Sequence, residues 1–302
     1  MRHVPIVYCS GRRSPFLSLA WLLLLCSVAT LTAAWTVQKV TAALCAVYPL
    51  SLQSRLRIAQ GATSCGAFLL GPLAYWYAFE RSTPQAFFLS KAQERLKLAV
   101  LSISLVSAAM VVAAGLAVVN QSIVLPDKLA TWAQAREQAV EQLVNQLART
   151  SDVSGLLLNF MLMAALPAVG EEFTFRGVMQ NLCHKAYGNM HVAVFVSALA
   201  FSALHLQPYT FLPRVGLGVL FGYLYWGTRD LRFPIMAHFV NNACMLTALF
   251  LENRSPNTTP AALTSHPKAA IVAGACFAVP LVYVLGRILH KHVQGARQYV
   301  GS

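Results

Sequence analysis

Apolar runs of about 20 residues, each long enough to cross roughly 30 Å of hydrocarbon as a helix, recur from one end of this 302-residue chain to the other. Eight are read as spans: Phe16 to Trp35, Gly61 to Phe79, Leu98 to Val119, Val153 to Gly170, His191 to Leu206, Phe211 to Trp226, Phe233 to Leu251 and Ala269 to Leu285. A ninth apolar piece, Val40 to Leu52, is broken by Pro49 and reads as re-entrant or as part of a longer hairpin. Hydrocarbon offers the backbone no hydrogen-bond partners, so each span must satisfy its own amides as a helix. The expectation is an all-α fold, a polytopic transmembrane bundle of about eight spans. Composition agrees: 57% of residues are hydrophobic and 11% are charged, against about a quarter charged in a soluble domain.

The net charge of +13 could suggest nucleic acid, but the basic residues stand singly or in small groups between apolar runs. That distribution orients membrane helices, and no nucleic-acid partner is expected. With the N-terminus inside, fourteen of the 23 Lys and Arg fall on the inner side and nine on the outer. Both termini are therefore expected in the cytoplasm, and short loops with basic ends suggest a bacterial inner membrane. The first apolar run is longer than a signal-peptide core, and Thr32-Ala33-Ala34 is a poor cleavage site, so it is read as an uncleaved helix. Seven scattered cysteines with no CxxC give neither a disulfide framework nor a zinc ribbon.

Four regions follow. Residues 1–126 hold N-terminal membrane helices, and 127–152 an amphipathic helix or linker with Ala139, Val140, Leu143, Val144 and Leu147 at helical spacing. This helix lies on the membrane interface or packs within a loop. Residues 153–251 hold the chemistry, and 252–302 a loop, a final helix and a basic tail.

Ionisable groups within apolar helices are costly and usually line a functional cavity. Three short segments carry them. Glu171-Glu172-Phe173-Thr174-Phe175-Arg176 closes one apolar run, Phe201-Ser202-Ala203-Leu204-His205 closes the next, and His238-Phe239-Val240-Asn241-Asn242 lies inside a third. Glu172 and Arg176 are four apart and can pair on one helix face, while Glu171 is turned about 100° away. Pro167 and Gly170 just upstream favour a kink. His238 and Asn242 share a face, and Phe201 can wall one side of His205. A water-activating site needs a base, a group that shares the proton and donors for an oxyanion. Glu171 suits the base, His205 can hold the same water, and His238 and Asn242 can donate to the oxyanion. Separately, each segment has a plainer reading: acids at the headgroups, an interfacial histidine, or polar glue between helices. Arg214 is read as meeting a substrate carboxylate or, in preference, headgroups, and Gly216, Gly218 and Gly222 as permitting close helix packing.

EExxxR, FxxxH and HxxxN in this order on successive membrane helices resemble the CAAX-protease and bacteriocin-processing family of intramembrane proteases, which includes type II CAAX prenyl endopeptidases and abortive-infection-like proteins. The resemblance covers roughly Val153 to Leu251. It implies an all-helical membrane domain, an endopeptidase activity on a membrane-associated or lipidated peptide, and a site made of Glu171, Glu172, Arg176, His205, His238 and Asn242. Such sites have been read as metal centres, so zinc held by His205, His238 and a carboxylate is an alternative. Asn242 is a poor zinc ligand and no HExxH occurs, so no cofactor is expected. Neither GxGD nor GxSG is present to support an aspartyl or a rhomboid type, and Ser202 is read as a bystander. The rival from another class is a non-catalytic immunity-type binding protein or a transporter, although paired broken helices in inverted repeats are not seen.

Overall fold

The computed structural model describes residues 14–80, 87–88, 94–150, 152–254 and 268–298, the last helix with side chains to 293. Among them the chain is helical, with no strand and one isolated bridge between Phe88 and Asp230. Nine helices follow one another: α1 (Pro15–Val47), α2 (the helical run 52–80), α3 (Arg95–Gln121), α4 (Asp127–Ala148), α5 (Val153–Tyr187), α6 (Met190–Ala203), α7 (Phe211–Thr228), α8 (Arg232–Arg254) and α9 (Lys268–Gln298).

Seven of the eight expected spans fall within a helix, and His191 to Leu206 runs three residues past the end of α6; five helices among the described residues are long and apolar enough to cross a membrane: α1, α3, α5, α8 and α9 to Val293. Three of the eight expected spans do not meet that length and composition, for two reasons. Helix α6 has 14 residues, about 21 Å at 1.5 Å per residue, short of roughly 30 Å of hydrocarbon. The run 52–80 and α7 dilute their apolar residues with polar and small ones, including Thr63, Ser64, Pro213 and Arg214. Pro49 does not make a re-entrant piece. Val40 to Val47 continue α1, which runs 33 residues, and the chain turns only at Tyr48 to Ser51.

Two compact units divide these helices. One holds residues 1–87, 143–193 and 242–254. In it α1 packs on α2, with Trp21 and Phe79 at 5.7 Å between ring centroids, and Phe16 meets Tyr187 of α5 at 6.1 Å. Gly71 is what lets α1 and α2 approach: a Cβ there would lie 2.5 Å from the Cys26 Cα. Because that neighbour is backbone, Gly71→Ala is expected to destabilise by about 1–3 kcal/mol, the usual cost of overpacking. Reversible unfolding in mixed detergent micelles would measure it.

The last carbonyls of α4 lack helical partners, and α2 supplies them. Gln53 Nε2 donates to Arg149 O at 2.7 Å, and an Arg57 nitrogen donates to Leu147 O and to Asn159 Oδ1 at 3.0 Å. A cation at a helix C-terminus also suits the helix dipole. Asp152 caps the start of α5, accepting from Gly155 N at 2.5 Å and from Ser154 Oγ at 2.7 Å. The Ser154 hydroxyl and the Gly155 amide hold its carboxyl below the usual range.

Helices α2 and α5 share a backbone device. Each contains a wider π-helical turn, Gly66–Leu70 and Phe160–Ala165, immediately before an α-helical segment with proline at its second position, Pro72 and Pro167. Proline lacks an amide and crowds the carbonyl four residues back. A widened turn relieves that crowding without ending the helix. A second π turn in α5, Phe173–Met179, carries Arg176.

The other unit holds residues 88–142, 194–241 and 255–302. Its apolar core joins Leu98, Leu105 and Val106 of α3 to Phe221 and Leu224 of α7, Phe233 and Ala237 of α8, and Leu289 of α9. Gly115 allows α3 to approach α9 at Ala275, a small-residue contact of the kind membrane helices favour. Gly216 of α7 faces Leu116 of α3. Helix α7 ends at Arg229 in a left-handed conformation (φ 57°), a common helix stop. Buried Asp230 then accepts from Arg232 N at 3.0 Å and pairs with its guanidinium, starting α8 and fixing its register.

In α4 the buried positions are Ala133, Leu147 and Ala148, with Val140 and Val144 half-buried; Ala139 and Leu143 are exposed. The seam is therefore rotated from the one expected, and Glu137 lies on it, half-buried.

Candidate functional site

Helix α5 delivers the acidic motif. Glu172 and Arg176 are both fully buried, and Arg176 donates to Glu172 Oε1 at 2.8 Å, the pair expected from their spacing. Glu171 is 8% exposed, so the two carboxylates differ in surroundings as their angular offset requires. The motif is seated against α2. Thr174 Oγ1 lies 2.8 Å from Gly170 O and 3.1 Å from Phe68 O. Gly170 fits because a Cβ would stand 2.8 Å from the Phe68 Cβ, and Phe68 meets Phe175 at 6.2 Å between ring centroids. The kink that Pro167 and Gly170 suggested thus takes the form of π turns and a close helix contact.

The second unit gathers the aromatic and imidazole groups. Phe201 of α6 stands edge-on to both histidines, 5.1 Å from His205 and 5.8 Å from His238 between ring centroids. The first of these contacts was legible in the FxxxH spacing, and the second was not. Phe221 of α7 stacks on His238 at 5.1 Å with 16° between the planes. Sequence reasoning missed Phe221, which reads as one more apolar residue of an apolar helix.

His205 lies just past α6, where 3₁₀-type bonds tighten the chain: His205 N donates to Ser202 O at 3.2 Å and Leu206 N to Ala203 O at 3.0 Å. Its Nδ1 is 2.8 Å from Phe201 O. A carbonyl only accepts, so Nδ1 carries the proton, and in the neutral ring Nε2 keeps the lone pair. That leaves Nε2 able to accept a hydrogen bond from water. Ser202 donates to Phe211 O at 2.8 Å, a structural use that agrees with its reading as a bystander. Asn242, half-buried, follows His238 by one turn of α8. The Arg214 guanidinium donates to Thr210 Oγ1 at 2.7 Å and to Gln207 Oε1 at 2.6 Å.

Among the described residues no three histidine, cysteine or carboxylate side chains form a group that could hold a metal ion.

One unit thus holds a buried acid–arginine pair, and the other holds two imidazoles against aromatic rings. Residues 153–244 match the family model of Rce1-like type II CAAX prenyl endopeptidases. The match contains every motif residue from Glu171 to Asn242. No curated protein and no solved structure matches the chain. The chain is thus an integral membrane protein with a segment similar to a protease family.

Proposed function

We propose that this protein is an intramembrane endopeptidase that hydrolyses a peptide bond of a membrane-associated or lipidated peptide. The observation that carries the reading is that the family match spans all three motifs, in segments that bury the acids, set His238 between Phe201 and Phe221 and place His205 against Phe201. In this reading the Glu171 carboxylate takes a proton from water, and the resulting hydroxide attacks the scissile carbonyl carbon. His205 accepts a hydrogen bond from the same water at Nε2. His238 and Asn242 donate to the oxygen that becomes negative. The proton on Glu171 then passes to the leaving nitrogen as the C–N bond breaks, which regenerates the carboxylate. Glu172 and Arg176 keep α5 in register.

With eight spans, the excess of basic residues on one side supports placing both termini in the cytoplasm, and we assign the chain to a bacterial inner membrane. Leader peptides and membrane-anchored tails are the substrates this placement favours. The test is purified protein in bilayers against matched lipidated and unlipidated peptides, read by mass spectrometry. One new internal cleavage site is expected; a panel that stays intact while the protein binds its members would favour a non-catalytic receptor. For Asn242→Ala, loss of one oxyanion donor is expected to lower kcat by about 10²–10³ with little change in KM. A change confined to KM would place Asn242 in substrate binding instead.

A further inference from the structure

The loop that follows His205 is held by a residue outside the family match. Glu137 of α4 accepts from Gln207 Nε2 at 2.6 Å, from Tyr209 N at 3.1 Å and from Thr210 Oγ1 at 3.4 Å. Arg214 closes the other side through Gln207 Oε1 and Thr210 Oγ1. Asn120 of α3 fixes the same loop from a third direction, donating to Pro208 O at 2.8 Å and accepting from Leu212 N at 2.6 Å.

What this loop must hold is unfavourable by itself. Leu206, immediately after His205, has φ 53°, a left-handed conformation that residues other than Gly, Asn and Asp rarely adopt. Such a conformation persists only where its surroundings enforce it. The enforcing bonds end on a carboxylate, and charged acceptors make the stronger hydrogen bonds. Beside the loop lies a cavity of about 330 Å³ lined by Trp132, Leu206, Pro208, Phe211 and Leu212 among others, so nothing packs solidly behind the strained residue on that side.

We propose that Glu137 is a positioning residue for His205: it clamps residues 207–210, holds Leu206 in its left-handed conformation and so fixes the direction of the imidazole. The catalytic part of this inference rests on the proteolytic reading above; the clamp does not. Misplacing a catalytic group by about 1 Å can cost about 10²-fold in rate.

The test combines backbone hydrogen exchange with steady-state cleavage of the peptide found by the panel, for wild type, Glu137→Ala, Glu137→Gln and Gln207→Ala. Faster exchange confined to the amides of residues 204–210 is expected in Glu137→Ala. Its kcat should fall about 10- to 100-fold, with KM within about twofold. Glu137→Gln keeps an acceptor of the same length and should lie between it and wild type. Gln207→Ala, which breaks the clamp from the loop side, should share the Glu137→Ala signature. Unchanged loop exchange in Glu137→Ala would overturn the clamp. A loosened loop with wild-type kcat would overturn its role in placing His205. Faster exchange throughout α4, α6 and α7 would show general structural support and also count against the proposal. If wild-type protein cleaves nothing, the proteolytic reading fails, and the exchange data alone decide the clamp.

Discussion

Glu171→Gln is expected to lower cleavage by about 10²–10⁴-fold, the range over which a general base contributes, and to leave the fold intact. Gln has the shape of Glu but cannot take a proton from water. The neighbouring carboxylate offers no rescue, because Glu172 is fully buried and bonded to Arg176 at 2.8 Å. Because Glu171 sits on the same helix and is 8% exposed, an amide there keeps the local packing. The loss should appear in kcat, with binding of the uncleaved peptide preserved and unfolding in mixed micelles unchanged. Wild-type turnover by Glu171→Gln would remove this residue from the mechanism.

The largest structural effect is expected at Arg176. Replacing it with Ala takes the cation from a carboxylate with no solvent exposure, and breaking a buried pair from one side costs about 3–5 kcal/mol. The cost reflects the charge left behind more than the worth of the pair. The double replacement Glu172→Gln with Arg176→Met should therefore be more stable than Arg176→Ala, since it removes both charges and keeps much of the volume. Detergent-driven unfolding of the variants forms a cycle that measures this. Arg176→Ala as stable as wild type, or a double variant less stable than the single one, would show that the pair does not hold α5 in place.

Much of this arrangement was legible in the residues because hydrocarbon leaves the backbone few options. A long apolar run must become a helix, and seven of the eight runs did throughout, the run from His191 only as far as Ala203. Spacing of four on a helix placed Arg176 beside Glu172 and Phe201 beside His205. What spacing cannot show is depth or partners across the chain. Helix α6 has the composition of a span but ends after 14 residues, and Val40 to Val47 extend α1 because Pro49 acts only beyond them. The π turns before Pro72 and Pro167 depend on how the helix absorbs a missing amide. Phe221 joins the imidazoles because α7 packs beside α8, and its local sequence is simply apolar. Glu137 was hidden in the same way. Its partners lie some 70 positions later, at Gln207 and Tyr209, and the bonds of Arg214 to Gln207 and Thr210 belong to the same loop.

The proteolytic reading rests on water activated by Glu171, with His205 as its partner and no metal in the step. Zinc would instead need ligands from the histidines and a carboxylate, and would itself supply the activated water. The most direct measurement is peptide cleavage by protein purified in detergent and exhaustively chelated, with bound metal quantified in the same sample. Cleavage at the untreated rate in metal-free protein is the result expected. Stoichiometric zinc, whose removal abolishes cleavage and whose return restores it, would contradict the account.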